Sequence, residues 1–183
     1  RRLEHMDAQA TPSSLQPALG TGRPLYILDA RHRVEERYLR GWLRESGAAG
    51  GPRCDADCVV LAISREAREP ALAELSSRLE SSDERQVVPL RVVWRLPAKV
   101  QAHGLRLRDL VFGDPRLPGT LRSALILARA PRRADCLQGT ATSLGELRQR
   151  FAGQANATRD AGRHAFAHFV ARHAAATLDQ EER

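Results

Sequence analysis

Cys58-Val-Val-Leu-Ala-Ile63 is an unbroken β-branched and aliphatic run between polar flanks. A strand that is apolar on both sides is the signature of the middle of a parallel sheet, where helices cover both faces. The reading outward from it is regular. Downstream, Pro70 stands where a helix can begin, and Leu72, Leu75 and Leu79 carry helical spacing to Ser81. Val87–Leu96 reads as a second core strand, and Pro89 within it predicts a start near an edge or a bulge, because proline donates nothing to a ladder. Upstream, Leu25-Tyr-Ile-Leu28 is a short buried strand, followed by an amphipathic helix over Arg31–Glu45 with Val34, Tyr38, Leu39, Trp42 and Leu43 on one stripe.

The second half keeps the rhythm. Asp109-Leu-Val-Phe112 reads as a strand, and 113–119 as a loop dense in turn formers. Thr120 is placed to cap a helix through Ala128 that turns Leu121, Ala124, Leu125 and Ala128 inward. Ala134–Gln138 is a weak strand. Thr142-Ser-Leu-Gly-Glu146 offers a capping pattern for a helix over Leu144–Phe151. After a loop at 153–162, a last helix begins near Arg163, with Phe166, Phe169, Val170 and Ala174 on one side. The expected fold class is therefore α/β, a layered sheet with alternating helices. The polar 98–104 link is compatible with two half-domains, about 25–97 and 105–152. The expected organisation is a polar lead-in over 1–24, an α/β domain over 25–152, and a loop and helix over 153–183 that lead towards a further domain. The last helix, which runs to Glu-Glu-Arg183 with no stop signal, is the reason for expecting one.

A chain of 183 residues with 42% apolar and 28% charged residues can bury a core, which excludes disorder throughout and fibrous classes. No run approaches the 18 or so apolar residues of a membrane span. Three cysteines cannot all pair, and no secretory leader is evident, so a reducing cytosol is expected. The formal charge is +7, and Lys99 is the only lysine among 29 basic residues. Part of that arginine excess reads as codon composition. The sign of the field remains, and it favours anionic partners.

Chemical motifs are sparse. There is no phosphate-binding Gly-x4-Gly-Lys, and Gly47, Gly50 and Gly51 follow a helix rather than a strand. Cys54-Asp-Ala-Asp-Cys58 lacks two further zinc ligands nearby, and Cys58 fits a buried strand end. His164 and His168 are one helical turn apart without the glutamate of a zinc-protease motif, and with His173 they read as packing or surface residues. No Gly-x-Ser-x-Gly elbow exists. No metal and no cofactor is expected. What remains is arginine. Arg91 and Arg95 alternate with Val92, Val93 and Trp94, while Arg116, Arg122, Arg129, Arg132 and Arg133 cluster around the last loop and helix before Ala134. Arginines also suit a helix C-terminus electrostatically. The cluster reads either as a solvated basic face or as an anion-binding face. A stand-alone nucleic-acid-binding module is the other class the charge suggests, but aromatics are 4% and no recognition-helix or finger motif appears.

Several segments, in order, resemble the N-terminal region of bacterial glycerol-3-phosphate 1-O-acyltransferase. They are Pro24-Leu-Tyr-Ile-Leu-Asp29, Val87-Val-Pro-Leu-Arg-Val-Val-Trp-Arg95, Leu110-Val-Phe-Gly-Asp-Pro-Arg-Leu-Pro-Gly119, Ser123–Pro131, Gly145–Phe151 and Phe166–Arg172. The resemblance covers about residues 24–183. It implies an enzyme that moves an acyl chain from acyl carrier protein or acyl-coenzyme A to the 1-hydroxyl of glycerol 3-phosphate, giving lysophosphatidic acid for phospholipid synthesis. That family works through a His-x4-Asp pair. Here the residues five beyond the histidines are Ala10, Arg37, Arg108, Phe169, His173 and Leu178, none of them Asp. No catalytic residue is therefore expected in this chain. The resemblance implies a non-catalytic domain at the cytoplasmic face of the cell membrane, held peripherally. Its implied partners are a downstream catalytic domain, an anionic membrane surface and, through the full-length enzyme, the acyl donor, and nucleic acid is not among them.

Overall fold

The computed structural model describes residues 24–46, 57–62, 69–80, 85–95, 117–155 and 164–183. Strand β1 (Pro24–Asp29) leads to helix α1 (Arg33–Ser46), β2 (Cys58–Leu61), α2 (Glu69–Leu79) and β3 (Gln86–Trp94). Helix α3 (Thr120–Arg129) and a 3-10 turn (Pro131–Arg133) precede β4 (Ala134–Gln138) and β5 (Thr142–Ser143). Helices α4 (Leu144–Ala155) and α5 (Ala165–Glu181) complete the described chain. The strands form one mixed sheet in the order β2-β1-β3-β4, with β5 also on β3. β1 is parallel to β2 and to β3, while β4 and β5 run antiparallel to β3. Both halves of the chain share this sheet, so the strands do not divide into half-domains at the 98–104 link.

The layers follow from connectivity. β2 and β3 flank β1 on opposite sides, and right-handed crossovers in opposite directions must cover opposite faces. Leu39 and Leu43 of α1 and Ile126 of α3 pack with Tyr26, Leu28, Val88, Leu90 and Trp94 on one face. Leu72, Leu75 and Leu79 of α2, Leu144 and Leu147 of α4, and Val170 and Ala174 of α5 pack with Leu25, Ile27, Val59 and Leu61 on the other. Successive strand residues alternate between the two cores, as a pleated strand requires. β2 is parallel and buried as its sequence predicts, but it lies at one end of the described sheet; β1 and β3 hold the centre.

Pro89 explains the break between β4 and β5. Gln138 pairs with Leu90 and Thr142 with Val87, so three residues of one strand stand against two of β3. Such a bulge suits a residue with no N–H to offer. The Pro89 carbonyl still accepts from the Gly139 amide at 2.9 Å. β3 itself is an interior strand that pairs with β1 without interruption, so the irregularity expected within it lies instead in the segment between β4 and β5.

Two further local features depart from the sequence reading. Gly119, not Thr120, is the N-cap of α3, and it makes no side-chain capping bond. Helix α3 also presents a different side inward: Ser123 and Ile126 are buried, whereas Leu121 is 88% and Leu125 48% exposed. α4 starts as expected, with Ser143 Oγ accepting from the Glu146 amide at 3.2 Å. The strand expected at Asp109–Phe112, the glycine-rich loop, Cys54 and the lead-in lie outside the described residues.

Candidate functional site

Ligands of open α/β sheets bind beyond the carboxyl ends of the parallel strands. At that edge the sequence places charge on both faces of the sheet. Asp29 ends β1 and is buried, and Arg91 lies beside it in the register of β3. Arg91 Nε donates to Asp29 Oδ2 at 2.7 Å, and its NH1 reaches Asp179 Oδ1 at 2.6 Å and Glu182 Oε2 at 3.2 Å at the end of α5. Although burial alone would lower it, the two aspartates hold the Arg91 guanidinium pKa above its ordinary range. Three carboxylates thus converge on one cation.

On the other face stands Glu35, buried in the first turn of α1. It reaches back over that turn, accepting from the Arg31 amide at 2.8 Å and from Arg31 NH2 at 2.5 Å. Trp94 Nε1 donates to it from β3 at 3.1 Å. Burial pushes the Glu35 carboxyl up, but the bonds from Arg31 and Trp94 and the Arg31 charge outweigh it, and its pKa falls below the ordinary value. The residue before α1, His32, receives the Glu35 amide on Nδ1 at 3.4 Å. Its Nε2 faces Ser123 Oγ at 3.2 Å and the Pro118 carbonyl at 3.4 Å. Ser123 is fully buried and donates to the same carbonyl at 3.2 Å. His32 and Ser123 therefore tie the start of α1 to α3, while Glu35 ties it to β3 through Trp94.

The described members of the basic cluster singled out from sequence lie on the same side of the sheet as α1. Arg116 lies outside the described residues. Arg122 is half-buried on α3, and Arg129 is exposed in its last turn. Arg132 is exposed and Arg133 half-buried in the turn that follows. The fold brings Arg122 and Arg133 close enough that, with burial the larger cause, the Arg122 charge lowers the Arg133 pKa. Arg133 Nε donates to the Arg95 carbonyl at 3.1 Å, and its NH2 is buried with no hydrogen-bond partner among the described residues. Arg129 and Arg132 extend the positive field into solvent. Arg95 is joined to Asp135 of β4, and so belongs to the sheet edge rather than to this cluster.

Among the described residues no group of His, Cys, Asp and Glu could hold a metal ion. Cys58 is buried, and neither it nor Cys136 is in a disulfide. His164 faces Glu69 at 3.5 Å, His168 is exposed, and His173 meets Thr142 Oγ1 at 3.2 Å, so the three histidines do not converge. Seven of the eight aromatics are described, and all seven belong to or pack against the two cores, which leaves no stacking platform among them. Among the described residues no helix is long and apolar enough to cross a membrane. The chain matches no protein-family model, and no solved structure resembles it at a significant level.

Sequence reasoning did not find Asp29, Glu35 or the outward leucines of α3. Arg31 and Glu35 do stand at i and i+4, a pairing visible in the sequence. Asp29 and Arg91 meet only through the β1–β3 register, which no local pattern carries.

Proposed function

We propose that this chain is the non-catalytic α/β domain of a glycerol-3-phosphate 1-O-acyltransferase, and that its α3 end faces the anionic surface of the cell membrane on the cytoplasmic side. Two things support the reading. One is the ordered series of segments resembling that family over residues 24–183. The other, which carries the docking part, is the charge of residues 117–133: Arg122, Arg129, Arg132 and Arg133 with no Asp or Glu between them. An enzyme that joins an acyl chain to a phosphorylated glycerol delivers its product into a membrane, and a basic face holds it at that surface. The chain's own share is to pack on a catalytic domain and to present arginines, since it has no His-x4-Asp pair.

Acyl transfer to glycerol 3-phosphate, measured with the 183-residue chain alone, is expected at background. Turnover that disappears when one of its own histidines is replaced would overturn the assignment. The reading frame beyond Arg183 is the direct complement: a His-x4-Asp there is expected, and an open frame that continues without one removes the acyltransferase reading.

A further inference from the structure

Leu121 and Leu125 are one helical turn apart on α3, and Leu117, just before the helix, is 59% exposed. At about 100° per residue, Leu121, Leu125 and Ala128 fall opposite Ser123 and Ile126, the residues that hold α3 to the sheet. The outermost line of the helix is therefore apolar. Arg122 and Arg129 border it on one side, Arg132 and Arg133 follow it, and the whole stretch 117–133 carries no carboxylate. An apolar row with a basic border is the composition of a helix that lies in a membrane interface.

We infer that α3 lies in the plane of an anionic bilayer, with Leu117, Leu121 and Leu125 entering the acyl boundary and the neighbouring arginines at the level of the phosphates. This inference rests on the reading of the chain as an anion-facing domain and adds an apolar component to it. The charge pattern selects this occupant. Nucleic acid would meet the arginines and leave the leucines in water. A second copy packed through the same face would bring two carboxylate-free arginine rows together. An anionic bilayer satisfies both groups at once. Each arginine near such a surface strengthens binding by roughly fivefold. Burying a leucine contributes about tenfold or more.

The test is co-sedimentation of the 183-residue chain with vesicles of phosphatidylglycerol and phosphatidylcholine at a salt concentration of about 0.15 M. Leu121→Gln with Leu125→Gln is expected to lower the partition coefficient by about tenfold or more while the far-UV circular dichroism stays unchanged, since both side chains are exposed. Leu121→Trp is expected to keep binding and to be quenched by lipids brominated along the acyl chain. If the glutamine variant binds like the parent and Leu121→Trp escapes quenching, while Arg132→Glu with Arg133→Glu weakens binding, the contact is electrostatic alone. In that case the insertion falls and the anion-facing reading stands. If the parent binds no vesicle at any phosphatidylglycerol fraction, both fall. A dimer in solution that the glutamine variant dissolves would assign the leucines to a second copy and overturn the insertion.

Discussion

Arg91 Nε and Asp29 Oδ2 lie 2.7 Å apart, an ion pair between neighbouring parallel strands that is 16% exposed on one side and 2% on the other. The same guanidinium holds the end of α5 through Asp179 and Glu182, which are exposed. The two ends of this network differ in dielectric and so in energetic weight.

Arg91→Ala is expected to destabilise the fold by about 3 kcal/mol, because it removes an ion-pair partner of a buried carboxylate. Asp179→Asn at the exposed end should cost about 1 kcal/mol or less. Urea denaturation of the two variants checks the asymmetry, and equal losses would contradict it.

Gly139 and Gly41 make opposite predictions for one substitution. A Cβ on Gly139 would lie 2.9 Å from Pro89 Cγ and 3.0 Å from Thr177 Oγ1, between the bulge and α5. Gly139→Ala should cost about 1–3 kcal/mol by overpacking. A Cβ on Gly41, inside α1, meets nothing within 4 Å. Gly41→Ala should therefore stabilise by about 0.5–1 kcal/mol through helix propensity. Thermal melts of the two variants should shift in opposite directions.

Acid should weaken the fold in two separate windows. Burial, then the Arg150 charge, lowers the His173 pKa from 6.5 against a smaller opposing pull from Glu146, so the folded state favours neutral imidazole. The stability this represents is present above pH 6.5 and is lost as the pH falls from there towards the folded pKa. Glu35, lowered from 4.5, holds its contribution above that pH and loses it as the pH falls through its folded value. His173→Gln should flatten the upper window and Glu35→Gln the lower. Chemical denaturation across acidic pH resolves them, and a single window removed by either variant alone would refute the division.

Cys136 should be inert. Burial, with a smaller contribution from the Asp135 charge, pushes its thiol up to about 12. The thiolate is the reactive species, so alkylation near pH 8 is expected to be slow in the folded chain and fast in urea. Peptide mass spectrometry reads this directly. Rapid labelling of Cys136 under native conditions would contradict its placement.

Much of the fold is legible in local pattern. The strands around Leu25–Leu28 and Val87–Trp94 and the helices carrying Leu39, Leu75 and Val170 follow from periodicity, because each has one decisive apolar face or is apolar throughout, whereas Ala134–Gln138 is only weakly marked. Helix α3 is different. Leu121 and Leu125 form one apolar side and Ile126 and Leu127 another, so the wheel does not choose between them. Tertiary contacts choose: Ser123 is turned inward and satisfied by Pro118 and His32. Glu35 was likewise hidden behind Val34, because a buried carboxylate is intelligible only with Arg31 and Trp94 beside it. Of the candidate site, the basic cluster could be named from sequence. The proximity of Arg122 and Arg133 and the outward leucines needed three dimensions.

The pairing of β3 with β4 and β5 sets an order on biosynthesis. Trp94 and Ser143, the last residues of β3 and β5, are 49 positions apart. At roughly 5–20 residues per second, the β3 edge that receives β4 and β5 waits about 2–10 s for its neighbours to be made. During that interval Val87-Val-Pro-Leu-Arg-Val-Val-Trp94 presents an open backbone edge on a growing chain. Pro89 and Arg91 then act as guards against wrong partners, since one offers no N–H to a stray strand and the other carries charge. The residue that shapes the bulge in the finished sheet thus also protects the unfinished one.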